Sequence, residues 1–523
     1  MVSERLAKVG RGAGKLFLRS AREPALGLVC ALALAGCDLE WEKPDLSTPP
    51  PDKFRAAAPR SEPPVRGAVE FASQFGSKEL IGFVEEAQIQ NLDIAAAAAR
   101  IKQADAQARL ASAALWPAIA TTNIAQTTRT PGTVLVPASG AREISPASSD
   151  TAQTSGFQAI NFGFFQLGLT ASYEIDFWGK NEDASNAGRL LANASRFDLD
   201  VVNIATVASI MNAYFQVLAA RDRLHIGQEN IRIATEVFDI IKLRFKVGTA
   251  SGMDLAQQEA LLAEQRASIP SLEQNVEQTA NLLATLLGRT PESLRVTGGS
   301  LAKLNVPAIA PGLPSEVLLR RPDIAQAEAK LASQEFSVLQ ARASFFPSFT
   351  LTGLYGLQSA LIKNLLRPEA IGWQLAAGLA QPLIDGYAIQ SQYDLQKGRY
   401  AEFASLYRKQ ILTALTDVEN ALVAVRETTR QAKLQAEAVA AWRRAYETAA
   451  AKLREGTIDS VTLATSQTSL FQSQDRLAVA RLARFRAVAS LYQALGGGWS
   501  PTNRDIEIAE ANQAYEARKG PWP

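Results

Sequence analysis

The chain is written twice, and this duplication limits its fold more than any other feature. LDIAAAAARIKQADAQARLASA, beginning at Leu92, is matched by PDIAQAEAKLASQEFSVLQARA, beginning at Pro322. ALWPAI (114–119) is matched by SFFPSF (344–349), and both blocks lie at an offset of 230 residues. VGTASGMDLAQ (247–257) pairs with EGTIDSVTLAT (455–465), and TLLG (285–288) with QALG (493–496), at an offset of 208. Between them, DFWGK (176–180) and LIDGY (383–387) align at Gly179 and Gly386, an offset of 207. The fall from 230 to 207 gives the first copy 23 extra residues, placed in the Ser/Thr/Gly/Pro-rich stretch 133–156. A fold built on such a repeat is pseudosymmetric.

Each copy has one plan. The periodicity predicts an amphipathic helix over 78–115 and 316–345, then a strand after Pro117 or Pro347 with its hairpin partner at 162–177 or 371–384. A long helix follows over 181–247 or 388–454, then a Gly-Thr turn and a return helix over 251–288 or 459–495. In the first long helix, Ala187, Leu190, Ala194, Phe197, Val201, Ile204, Ala208, Met211, Phe215 and Leu218 are spaced alternately by three and four, the signature of coiled-coil packing. Ile231, Ala234, Phe238, Ile241 and Phe245 resume the pattern after a phase shift. At 1.5 Å per residue such a helix spans about 100 Å.

The strands carry a different period. From Phe165 to Phe177 every odd position is apolar and every even one is Gln166, Gly168, Thr170, Ser172, Glu174 or Asp176. Ile371, Trp373, Leu375, Ala377, Leu379 and Leu383 repeat the odd pattern, broken at Gln381, and Phe349, Leu351, Tyr355 and Leu357 follow it loosely. The stretch after Pro117 is barely apolar on either face. Sheet exposed to lipid has this alternation and must be closed; a soluble sheet with one covered face has it too. Trp116, Phe177, Trp178, Phe346 and Tyr387 cluster at strand–helix junctions, where an aromatic belt at a membrane interface would lie. Four strands cannot close a membrane barrel, so a barrel requires several copies.

The N-terminal segment has the form of a leader. Six basic residues between Arg5 and Arg22 precede an apolar run, Ala25–Gly36, too short to span a bilayer. Leu34-Ala35-Gly36-Cys37 resembles a bacterial lipobox, which implies cleavage before Cys37 and its acylation with palmitate-type chains. The remaining Cys, Cys30, lies in the leader, so no disulfide is expected in the mature chain. No other run of apolar length suggests a transmembrane helix. Asp38 follows Cys37; in enteric bacteria an Asp there tends to retain lipoproteins at the inner membrane, a signal that conflicts with, and is discounted against, strands that would need the outer membrane. Prolines 44, 49, 50, 51, 59, 63 and 64 make an extended tether. Net charge is +2, and −2 once six basic and two acidic leader residues are removed; this balance gives no support to nucleic-acid binding. One His, His225, and no Cys/His cluster leave no metal site. No nucleophile, phosphate-loop or dinucleotide motif is present, so neither an enzyme nor a cofactor is implied.

The LAGC lipobox, the repeat, YEIDFWGK (173–180), RRPDIAQAEAKLA (320–332), the Gly-Thr turns and ALGGGW (494–499) together resemble the outer-membrane factors of tripartite efflux pumps, in their lipoprotein branch. The likeness covers residues 75–499. It implies a homotrimer in which each chain gives four strands to a twelve-stranded transmembrane β-barrel, continued by a long periplasmic α-helical barrel. Its partners would be a periplasmic adaptor, an inner-membrane efflux transporter and outer-membrane lipid. The implied division is leader 1–36, lipidated tether 37–75, first repeat 76–288, equatorial linker 289–315, second repeat 316–499 and tail 500–523. By the same likeness Arg244, Val247, Gly248, Thr249, Arg454, Gly456 and Thr457 form the adaptor-contact tips. Family members carry pore-narrowing Asp rings six and nine residues after the second-copy turn Gly; here those positions are Thr462 and Thr465. Asp254 and Asp459 are the carboxylates that could replace the ring, although an Asp at a helix start also suits the helix dipole. An exit duct for small molecules is the leading function; a polypeptide-secretion duct and a non-channel coiled-coil scaffold are the alternatives.

Overall fold

A computed structural model describes residues 41, 43–55, 67–130, 160–307, 309 and 312–500. The chain divides into Met1–Pro44 and Asp45–Pro523, and every element below lies in the second unit. Cys37, Asp38, the stretch 133–156 and the tail after 500 fall outside the described residues.

The first copy contributes α1 (Ala68–Ser73), α2 (Lys78–Gln90), α3 (Leu92–Ser112), β1 (Ala118–Thr130), β2 (Ile160–Ile175), α4 (Lys180–Lys246) and α5 (Gly252–Leu286). The second contributes α6 (Pro314–Leu319), α7 (Pro322–Ala343), β3 (Ser348–Ser359), β4 (Ile371–Ala380), α8 (Ala388–Arg454) and α9 (Ser460–Ala494). α4 and α8 are both 67 residues long, and α5 and α9 are both 35, each pair at an offset of 208.

Two expectations are corrected. The helix expected over 78–115 is two helices, because Asn91 leaves the helical region (φ −64°, ψ 130°) and its side chain accepts the N–H groups of Asp93 (2.8 Å) and Ile94 (3.1 Å) to start α3. The second copy breaks at the same place, before Pro322, which occupies the first helical position of α7. The partner of Gly179 is Tyr387, not Gly386. Both are N-caps with left-handed backbone (φ 74° and 68°), and Asp176 and Asp385 just ahead of them accept the N–H groups of Glu182 (2.7 Å) and Ile389 (2.8 Å). The offset is therefore 208 from here onward, and the first copy holds 22 extra residues (230 less 208).

The helices form two rows. Near the sheet the order is α3–α4–α7–α8; beyond the middle it is α5–α4–α9–α8. α4 passes through both. Its middle is buried almost all round, with Ile210, Met211, Tyr214, Phe215 and Leu218 packed on Phe71, Phe75, Leu80, Leu283, Phe485 and Tyr492. An 18-residue window of α4 is apolar enough to cross a membrane, contrary to the expectation of none, but 61% of it is buried in this core. The heptad positions follow the row packing: Ala187, Leu190, Ala194, Ile204, Ala208, Met211, Phe215 and Leu218 are buried, while Phe197 and Val201 are half-buried. Lower down Val237 is buried in place of Phe238, next to Ala234 and Ile241.

The return helices reach the start of each copy through one joint, used twice. In the first copy the Asn91 amide donates to the carbonyl of Leu286 at the end of α5 (2.7 Å). In the second, the buried Arg321 guanidinium donates to the carbonyl of Ala494 at the end of α9 (2.9 Å). Gly288 and Gly496 follow these carbonyls with φ 70° and 85°, and each backbone passes the carbonyl of the residue before Asn91 or Arg321. A Cβ would lie 2.6 Å from Gln90 O or 2.1 Å from Arg320 O. RRPDI and ALGGGW are thus two halves of one contact.

Candidate functional site

The sheet is a single layer in the order β1-β2-β3-β4, antiparallel throughout. Its register sorts the alternation into faces. Leu167–Leu357–Ile371, Leu169–Tyr355–Trp373, Tyr173–Leu351–Ala377 and Ile175–Phe349–Leu379 lie in rows across three strands, all on the odd face. The even face carries Thr170–Leu354–Gln374, Ser172–Thr352–Ala376 and Glu174–Thr350–Gly378. Among the described residues no helix covers the odd face of β4: Ile371, Trp373, Leu375 and Leu379 are each more than half exposed. An uncovered apolar face of this size is what a lipid-facing wall requires. At its helix-proximal end Trp116, Phe177, Trp178 and Tyr387 are exposed. Trp178 stacks on Phe346 (4.6 Å) and its indole donates to the carbonyl of Pro347 (2.8 Å), which fixes one corner of the belt.

The even face has a feature that residue-type alternation alone does not show. Gly168, Gly356 and Gly372 stand side by side across β2, β3 and β4. A Cβ on Gly356 would lie 2.3 Å from the Cα of Gly168 and 2.4 Å from the carbonyl oxygen of Leu167. Side-chain-free positions let the strands close up and curve, as a narrow barrel needs.

At the other end of α4 and α8, the two turns are identical helix stops. Gly248 and Gly456 both have φ 75°, and the N–H groups of Thr249 and Thr457 reach back to the carbonyls of Arg244 (2.8 Å) and Lys452 (3.0 Å). Val247, Gly248, Thr249, Arg454, Gly456 and Thr457 are exposed. Arg244 instead points across the repeat: its guanidinium donates to the carbonyl of Leu453 (2.7 Å). Asp254 also crosses, accepting from the Ser460 hydroxyl as well as from the Ser251 N–H (2.8 Å) and hydroxyl (2.7 Å); its own N–H donates to the Ser251 hydroxyl (3.1 Å), which completes the capping box of α5. Asp459 is the N-cap of α9 and accepts from the Thr462 N–H (2.8 Å). The Thr465 hydroxyl is turned back to the carbonyl of Val461 (2.9 Å). Beneath the turns, Val237, Ile241, Ala449, Leu453 and Leu463 make a small core shared by both copies.

The structure thus brings Arg244, Asp254, Leu453 and Ser460 together within one chain. Leu453 and Ser460 were not singled out from sequence; a Ser beside an N-cap Asp is an ordinary helix start until the two copies are seen to meet. The Ser460 hydroxyl, then Ser251, hold the Asp254 carboxyl below its ordinary value of 3.8. Thr462 holds Asp459 below it as well, although the charge of Asp254 opposes this. The depressed Asp254 carboxyl contributes stability that is complete above pH 3.8 and is lost as pH falls through its folded value. Proteolysis at the 247–251 turn of the detergent-solubilised protein is therefore expected to stay constant from neutrality to about pH 5 and to rise only in stronger acid. The Asp254→Asn variant is expected to lack that step. A rise at about pH 6 in the parent protein would exclude Asp254 as the group responsible.

A family described as outer membrane efflux protein matches residues 83–289 and 313–497. The chain belongs to that family. Among family members, the pyoverdine export outer membrane protein OpmQ of Pseudomonas putida is 36% identical over 431 residues, 82% of this chain and 88% of the relative. Its namesake in Pseudomonas aeruginosa is 33% identical over 484 residues, 92% and 98% of the two chains. The Campylobacter jejuni CmeC outer membrane channel superposes with a TM-score of 0.78 at 21% identity, covering 91% of this chain and 98% of that one. The open state of the Neisseria gonorrhoeae MtrE outer membrane channel gives 0.74 at 24% identity, over 88% and 98%. This member is an outer-membrane efflux channel subunit: its strands lie in the outer membrane and its helices extend into the periplasm. The family is one of transport ducts, so the coiled-coil scaffold alternative is overturned.

Proposed function

We propose that three copies of this chain close a twelve-stranded barrel and a helical tunnel, and that the assembly is the exit duct of a tripartite efflux system for small molecules. The observation that carries this reading is a pair of matched open edges. The sheet ends at β1 and β4, and the helix row beneath it ends at α3 and α8, with β1 following α3 and α8 following β4 in sequence. A neighbour placed against one edge meets sheet with sheet and helix with helix. Repetition of that step closes a ring without leaving an unpaired strand in lipid.

Cargo would enter through the tip from a periplasmic adaptor and an inner-membrane transporter. The exposed turn residues Val247, Gly248, Thr249, Arg454, Gly456 and Thr457 are the adaptor contact in this reading, and Cys37 carries the lipid. Arg244 serves the contact indirectly, by holding the first turn against the end of α8. The bonds of Asp254 across the repeat make it the gate residue favoured over Asp459, Thr462 and Thr465, whose polar groups are used within α9. The polypeptide-secretion alternative has no observation in its favour; the relatives named for pyoverdine export make pyoverdine the first cargo to test.

The experiment is planar-bilayer recording with the full chain purified from outer membranes. Cation-preferring pores are expected, with Asp254→Asn raising open probability and weakening cation preference. Purified protein that migrates as a heat-resistant oligomer yet passes no current, even with Asp254→Asn, would refute the duct.

A further inference from the structure

We propose that the turn joining β3 to β4 is a docking surface for a phosphate-bearing, acylated glycolipid of the outer leaflet. The inference rests on the barrel orientation proposed above. β3 has 12 residues and starts beside the aromatic belt. At about 3.3 Å per residue and a tilt near 40°, it rises about 30 Å, the thickness of the hydrocarbon layer. Ser359 therefore ends at the far interface, and the turn 360–370 sits at headgroup level.

That turn is built, not loose. The Ser359 hydroxyl donates to the carbonyl of Leu361 (2.9 Å) and accepts its N–H (3.2 Å). The N–H groups of Asn364, Leu365, Arg367 and Ala370 each reach back to the carbonyl three residues earlier, at 3.0 to 3.2 Å. What it holds outward is unusual for a water-facing turn: Leu361, Ile362 and Leu366 are 52%, 66% and 81% exposed. Leu361 is still extended (φ −126°, ψ 129°) and stands two residues past Ser359, and the apolar row Leu357–Ile371 lies directly beneath. The oily face thus continues into the turn. Lys363 and Arg367 alternate with these aliphatics, are exposed, and have no side-chain partner among the described residues. Two cations against one carboxylate, Glu369, above an apolar patch complement a lipid whose phosphates sit over its acyl chains.

The test uses the full chain extracted from outer membranes, with retained glycolipid measured by mass spectrometry. The native protein is expected to retain phosphorylated glycolipid, and K363E/R367E to retain about tenfold less, the loss of two charge-assisted contacts. K363R/R367K should retain as much as the parent, and I362S/L366S much less. Added back to delipidated oligomer, the phosphorylated glycolipid is expected to raise Tm, and the same lipid stripped of phosphate is not. Equal retention by K363E/R367E, or equal binding of dephosphorylated lipid, overturns the proposal. So does dissociation of the delipidated oligomer by K363E/R367E, which would assign the patch to a neighbouring copy. Loss of segment 131–159 from protease protection in that variant would assign it to the chain itself and also overturn it. Failure of the duct reading is recorded separately, as absence of a heat-resistant oligomer in the parent protein.

Discussion

Gly356→Ala is expected to abolish the heat-resistant oligomer, whereas Gly372→Ala, in the same row one strand away, is expected to leave it intact. The contrast is purely geometric. A methyl on Gly356 would be driven into the backbone of β2, 2.3 Å from the Gly168 Cα, and no flexible side chain is present to move aside. A methyl on Gly372 meets nothing within 4 Å. Relief at Gly356 requires β2 and β3 to separate along a register that pairs eleven residues, Phe165–Ser359 to Ile175–Phe349. Overpacking against backbone costs about 3 kcal/mol or more, a loss of about two decades in the folded population. Cold and boiled samples compared by gel mobility, with circular dichroism at the strand minimum, measure it. Equal oligomer yields for the two variants would show that the row is not a line of close approach.

Arg321→Met is expected to be the most damaging single change among the helices. Burial pushes the Asp323 carboxyl up, and the Arg321 guanidinium, through bonds of 3.0 and 2.6 Å, together with the Gln410 amide (2.7 Å) and the Ile324 N–H (3.0 Å), more than reverses it. The same guanidinium satisfies the carbonyl of Ala494 and lies near Asp417 (3.4 Å). Met fills the space but leaves the half-buried Asp323 carboxylate, which keeps only neutral donors from Gln410 and Ile324, without its cation, and strands a helix-end carbonyl. Breaking a buried pair from one side costs about 3–5 kcal/mol. Asn91→Ala, at the equivalent joint of the first copy, removes a cap and one neutral bond and should cost about 1–2 kcal/mol. Chemical unfolding of the helical signal in detergent orders the two. Arg321→Met with Asp323→Asn should recover part of the loss, because the uncompensated charge is then absent. A milder effect for Arg321→Met than for Asn91→Ala would mean that the joint is held by Gly496 and its neighbours alone.

The long helices were legible because apolar residues recur at helical spacing over most of 67 residues, with one phase shift in the first helix and no Pro to stop either. The tip glycines were legible for a related reason: a left-handed helix stop needs Gly, and both turns have it. Asn91 was not, since a capping residue inside an apolar run looks like a solvent-facing helical position until its backbone is seen to turn. Tyr387 was missed because a large aromatic rarely takes φ 68°, and the neighbouring Gly386 offered an easier alignment. Gly168, Gly356 and Gly372 read singly as weak points in strands; only the register puts them in one row.

The amino-acid sequence alone determined that there are two copies, that each holds a strand with one oily face, and that too few strands exist for a chain to close by itself. These are consequences of period and count, which local backbone geometry enforces wherever the chain goes. Tertiary structure decided what meets what: α4 running through both helix rows, Arg321 reaching the end of α9, and Arg244 and Asp254 tying one repeat to the other at the tip. Such contacts join residues about two hundred positions apart, and no spacing rule covers them, because they follow from how two pseudosymmetric copies pack, not from what either copy is.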